Sequence, residues 1–120
     1  MEKLVDTDPS DPVGQVFDVQ RQWIEEHTNS GCLFFRAFGE YGSATPEIIA
    51  IAQEHKDAFE AEISRRVELA LGRPDAALAM QVWILFEGAV ALACMRGTQV
   101  IAMARQTSIS LIEASRDRVS

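Results

Sequence analysis

The chain has 120 residues, of which 48% are hydrophobic and 24% charged. A globular domain of this size buries enough apolar surface to fold without disulfides or a structural metal. Its 11 basic and 18 acidic residues give a formal charge of −7, which argues against binding of this chain alone to nucleic acid or to an anionic membrane. Two isolated cysteines, Cys32 and Cys94, favour a reducing cytoplasm over a disulfide framework.

Apolar residues recur every three or four positions along the chain, and no stretch alternates with a period of two. This spacing is typical of amphipathic helices, so the sequence predicts an all-α fold of about five helices. We expect one helical domain over residues 11–116, preceded by a polar segment, residues 1–10, and followed by a frayed tail, residues 117–120.

The first helix is predicted over residues 11–27, with Asp11 as its cap and Pro12 in its first turn. A loop and a short apolar helix over residues 32–41 follow. Residues 45–47 then read Thr-Pro-Glu, a strong start signal for a long helix that ends at Leu71. The predicted buried stripe of that helix consists of Ile48, Ala52, His55, Phe59, Ile63, Val67 and Ala70.

The fourth predicted helix, residues 76–95, carries Glu87 as its single charged residue. Its length would admit a membrane span, but Glu87 and Gln81 lie near its middle and a carboxylate there is costly. We therefore expect a helix buried on all sides, in the domain centre and at a subunit interface. The last helix is predicted over residues 98–116, after Gly97.

Motifs for catalysis and cofactor binding are missing from the sequence. It lacks GxGxxG, GxxxxGK[ST], GxSxG and HExxH motifs, and a di-iron site would need paired Glu-x-x-His motifs. Ile24 stands three residues before His27, and Ala52 three residues before His55, so neither histidine belongs to such a motif and a di-iron site is excluded. We predict no enzyme activity, no cofactor and no metal site.

His55, Glu87 and the aromatic residues are the candidate functional groups. His55 is a core residue with a polar neighbour, a polar contact in a ligand pocket, or a metal ligand. Glu87 either pairs with an arginine across a subunit interface, faces water or lines a pocket. The aromatic side chains either pack as core or leave a cavity between helices; the predicted ligand-binding set is Trp23, Phe34, Phe38, His55, Phe59 and Trp83. The predicted ligand is neutral or weakly charged and hydrophobic.

The order of these features over residues 12–114 resembles the C-terminal ligand-binding and dimerisation domain of TetR/AcrR-family transcriptional regulators. The resemblance is carried by Trp23, by Gly31-Cys32-Leu33-Phe34, by Glu54-His55-Lys56 and Ala61-Glu62-Ile63 in the long helix, by Pro74-Asp75-Ala76-Ala77-Leu78-Ala79, and by Ile84-Leu85-Phe86-Glu87-Gly88-Ala89-Val90. The basic helix-turn-helix domain with which family members begin is not found in this chain.

The resemblance implies an effector-sensing homodimer that acts in transcriptional repression and reaches DNA only through a separate N-terminal domain. Its last two helices would pair with those of a second copy as a four-helix bundle. The implied interface consists of Ala89, Ala93, Cys94, Gly97, Ile101, Ser108 and Leu111. Two other classes stay open: a stand-alone helical dimerisation or adaptor protein without a ligand, and a small enzyme that uses His55 and Glu87 as an acid/base pair.

Overall fold

A computed structural model of the chain describes residues 7–26 and 46–118. These residues form four helices: α1 (Pro12–Glu26), α2 (Pro46–Leu71), α3 (Ala76–Arg96) and α4 (Gln99–Asp117). The described residues contain no strand, which confirms the all-α prediction. The short helix predicted over residues 32–41 lies outside the described residues.

The helix ends follow the signals in the sequence. The Asp11 carboxylate accepts a 3.1 Å hydrogen bond from the Gly14 backbone N–H in the first turn of α1. Asp75 caps α3 in the same way, through a 3.0 Å bond from the Leu78 N–H. Gly72 and Gly97 follow α2 and α3 with φ of +89° and +91°, a backbone region that favours glycine and ends a helix.

The four helices share one hydrophobic core. α3 packs against both α2 and α4, and α1 packs across α2 and α4. Each helix contributes an apolar stripe, as the three- and four-residue spacing predicts. The buried core residues are Val13, Val16 and Phe17 of α1, Ile63, Val67 and Leu71 of α2, Leu78, Ala79, Val82, Phe86, Ala89 and Ala93 of α3, and Ile101, Ala104 and Ile112 of α4.

The buried stripe of α2 differs from the prediction at His55, which is exposed. Side chains four residues apart are offset by about 40° around the axis of an α-helix. His55 lies three such steps before Val67, so it is offset from Val67 by about 120°. Lys56 lies seven residues before Ile63 and therefore shares its side of α2, and Lys56 is half-buried. The prediction that His55 is buried was wrong for this reason.

Candidate functional site

Four aromatic side chains from α1, α2 and α3 form one cluster, here called the aromatic cluster: Phe17, Phe59, Trp83 and Phe86. The rings of Phe59 and Phe86 stack with centroids 5.0 Å apart, and Trp83 lies 6.1 Å from Phe86 and 6.3 Å from Phe59. Phe17 meets Phe86 edge-on at 5.5 Å. Phe17 and Phe86 are buried, whereas Phe59 and Trp83 are half-buried. The cluster thus runs from the core to the outer part of the α2–α3 contact.

An ion pair lies beside the half-buried edge of this cluster. The Lys56 ammonium of α2 contacts the Glu87 carboxylate of α3, and both side chains are about one-third exposed, at 33% and 34%. Lys56 precedes Phe59 by one helical turn, and Glu87 follows Trp83 by one turn. Residues three or four positions apart share a helix face, so the two charges and the two rings line the same α2–α3 contact.

The predicted ligand-binding residues are only partly brought together. Phe59 and Trp83 stack on each other, as described above. Trp23 is half-buried on α1, and Phe34 and Phe38 lie outside the described residues. His55 is exposed on α2, so it does not point where Phe59 points.

Sequence reasoning missed Lys56, Phe17 and Phe86 as members of this site. The heptad spacing from Lys56 to Ile63 could have identified the lysine, because it places both residues on one side of α2. The Glu87 carboxylate pairs with Lys56 within the chain rather than with an arginine across a subunit interface.

Among the described residues, one crevice behind the aromatic cluster is closely packed. This narrow crevice is lined by Val13, Val16, Phe17, Ile63, Arg66 and Val82, and it has no room for a water molecule. A ligand that uses the cluster would therefore contact its half-buried edge, formed by Phe59 and Trp83.

A second feature is the outward side of α3, which is apolar and exposed. Met80 is 44% exposed, Ile84 61% and Met95 64%. On α4, Met103 is 66% exposed. Within the described residues, Ala76–Ala93 is also the one stretch long and apolar enough for a membrane span, and 33% of it is buried. The expectation that this helix is buried on all sides is therefore not met within one chain.

The interface residues implied by the family resemblance are mostly inside the protomer. Ala89, Ala93, Ile101 and Ser108 are each less than 10% exposed, because they face the contacts among α1, α3 and α4. They have little surface left for a second chain, which corrects this part of the prediction. Leu111 is half-buried, Gly97 is exposed at the end of α3, and the Cys94 side chain lies outside what the structure describes.

Among the described residues, no three His, Cys, Asp or Glu side chains are grouped as metal ligands would be. The candidate features of this chain are thus the edge of the aromatic cluster with its ion pair, and the outward side of the α3–α4 pair. No family model, no curated protein and no solved structure matches this chain.

Proposed function

We propose that this chain is a homodimeric, effector-sensing helical domain of the cytoplasm, similar to the C-terminal domain of TetR/AcrR regulators, and that it makes no DNA contact of its own. The observation that carries the proposal is an uncharged surface on the α3–α4 pair, here called the outer face. Its exposed members are Ala77, Met80, Ile84, Gly88, Ala91, Leu92 and Met95 of α3, and Met103, Thr107, Ser110 and Ala114 of α4.

The spacing of the outer face suits helix pairing. Its members recur every three or four residues on both helices, which is the period of a helix–helix contact. Gly88 and Ala91 are small and permit close approach on α3, while Ile84 and Met95 supply apolar area. Two such helix pairs, one from each copy, form a four-helix bundle around a twofold axis.

Net charge opposes pairing of two copies of the chain least at the outer face. Each copy carries a formal charge of −7, so two copies repel each other through most of their surface. The members of the outer face carry no ionisable side chain, although half-buried Glu87 of α3 and exposed Glu113 of α4 border them, so repulsion is weaker there than at the charged surface. Large exposed apolar patches on soluble proteins commonly mark such interfaces.

The sensing half of the proposal rests on the aromatic cluster. A hydrophobic effector seated on the edge formed by Phe59 and Trp83 contacts α2 and α3 directly. Because Phe86 also meets Phe17, the same cluster reaches α1. An effector shifts α1 only to the extent that it binds one arrangement of these helices more tightly than another.

Sedimentation of the purified chain tests the dimer. We expect a species of twice 13.3 kDa at micromolar concentration. A species of 13.3 kDa alone across a micromolar concentration series would refute the dimer.

The close packing behind the aromatic cluster supports a second candidate, a dimerisation or adaptor protein without an effector. The two candidates share the outer face and differ at the cluster edge. Titration of the chain with hydrophobic small molecules, followed by calorimetry, separates them: an effector-sensing domain shows saturable binding that Trp83→Leu weakens, and an adaptor shows none.

A further inference from the structure

Lys56 and Glu87 place a displaceable ion pair at the edge where the proposed effector would bind. Their side chains are half-buried, and the pair joins α2 to α3 beside the stacked rings of Phe59 and Trp83. A charged ligand that lies on these rings must displace one member of the pair. An anion would displace Glu87 from Lys56, and a cation would displace Lys56 from Glu87. The charge of the favoured ligand depends on which of the two residues loses less stabilisation when it is displaced.

The two partners differ in what remains for them after displacement. If a ligand anion takes Lys56, the Glu87 carboxylate stays half-buried on α3, where no lysine or arginine lies within four residues of it. If a ligand cation takes Glu87, the long Lys56 side chain has another carboxylate one turn on, at Glu60 of α2. Lysine and glutamate four residues apart on a helix are neighbours, so displaced Lys56 keeps a partner.

The surroundings favour the same sign of charge. Glu54, Asp57 and Glu60 lie within four residues of Lys56 on α2, so this end of the helix is acidic despite the lysine. The faces of tryptophan and phenylalanine rings also attract cations, and a partly desolvated site strengthens that attraction. Both effects disfavour an anionic ligand.

We propose that the effector bound at this edge is a hydrophobic cation, which takes the Glu87 carboxylate from Lys56 and lays its apolar part on Phe59 and Trp83. This inference rests on the proposed sensing function and specifies its ligand class. It replaces the expectation of a neutral or weakly charged ligand, because the structure brings to the rings a carboxylate whose internal partner can be displaced.

Binding of two probes of matched shape and opposite charge, tetraphenylphosphonium and tetraphenylborate, tests the proposal. We expect the wild-type chain to bind the phosphonium at least about tenfold more tightly than the borate, measured by tryptophan quenching and calorimetry. Glu87→Gln should weaken phosphonium binding by about tenfold. Lys56→Met should tighten it, because it removes the internal competitor.

Glu113→Gln is the matched control, because it removes the same charge from an exposed position on α4. We expect its phosphonium affinity to stay within twofold of wild type. Tighter borate binding that Lys56→Met abolishes would overturn the proposal, as would phosphonium binding that neither Lys56→Met nor Glu87→Gln changes.

Neutral triphenylphosphine oxide separates failure of this inference from failure of the proposed function. Binding of the oxide as tightly as the phosphonium overturns the cationic ligand class and leaves a sensor of hydrophobic molecules. Binding of none of the three probes overturns the sensing function and this inference together, whereas the dimer is judged by sedimentation alone. Circular dichroism of each variant establishes that it is folded before binding is compared.

Discussion

Arg66 of α2 donates a 3.0 Å hydrogen bond from its guanidinium to the backbone carbonyl of Pro12, the residue that begins α1. The Arg66 side chain is only 2% exposed. It also donates to the Gln15 amide oxygen at 2.8 Å and to the Glu62 carboxylate at 2.7 Å. A buried cation is tolerated when its donors are paired in this way, so Arg66 fixes the start of α1 onto α2.

Replacing Arg66 with methionine should therefore destabilise the fold. The change keeps most of the side-chain volume but removes the guanidinium from the Pro12 carbonyl, the half-buried Gln15 amide oxygen and the Glu62 carboxylate, and we expect a loss of about 2–3 kcal/mol in the free energy of unfolding. Urea denaturation followed by circular dichroism measures it. Arg65→Met is the control: Arg65 also pairs with Glu62 but is exposed, so it should cost less than about 1 kcal/mol. Equal losses for both variants would contradict this role of Arg66.

The same network predicts a dependence of stability on pH. Hydrogen bonds from Arg65 and then from Arg66 hold the pKa of Glu62 below its usual 4.5 in the folded chain. A carboxyl whose pKa is lowered on folding stabilises the fold above its unfolded pKa, and this contribution is lost as the pH falls through the folded pKa. We expect the stability difference between wild type and Glu62→Gln to be constant above about pH 5.5 and to shrink below pH 4.5. Urea denaturation at several pH values tests this, and a difference that grows on acidification would contradict it.

The helix boundaries were largely predictable because their signals are local. Pro46 and Leu71 bound α2 as predicted, and α3 begins at Ala76 as predicted. A capping aspartate, a first-turn proline or a glycine with positive φ acts within one turn, so it needs no knowledge of the fold.

The interior contacts were less predictable because they depend on which helices meet. Arg66 reads in the sequence as a surface partner of Glu62, and its burial follows only from α1 lying across α2. The family resemblance implied Ala89 and Ala93 as interface residues, but their small size also lets α3 approach its own neighbours. The exposed side of α3, where we propose that a second copy packs, follows from that arrangement, which sequence periodicity alone did not resolve.

The burial of Ala93 changes what a charge at this position should do. Ala93 is 6% exposed in the core, so Ala93→Arg places an unpaired charge there, at a cost of about 3–5 kcal/mol. We expect this variant to lose helical circular dichroism rather than to yield a folded monomer. Ala91→Arg, on the exposed side of the same helix, should remain helical. A folded Ala93→Arg chain would contradict the placement of Ala93 in the core.

Binding of this chain alone to duplex DNA is expected to be undetectable at physiological salt. Affinity for the phosphate backbone depends on clustered lysine and arginine, and the chain carries a formal charge of −7. Among the described residues, Arg65, Arg66 and Arg105 are paired with carboxylates of the same chain. An electrophoretic mobility assay over a salt series checks this, and a shift that weakens with added salt would contradict it.

The central claim, that the outer face of α3 and α4 pairs two copies of the chain, is tested most directly by sedimentation equilibrium of two arginine variants. Ile84→Arg places a charge on the outer face, whereas Leu69→Arg makes the same kind of change at an exposed apolar residue of α2, 51% exposed and outside that face. We predict that wild type and Leu69→Arg sediment at twice 13.3 kDa and that folded Ile84→Arg sediments at 13.3 kDa. Equal masses for the two variants would contradict the account.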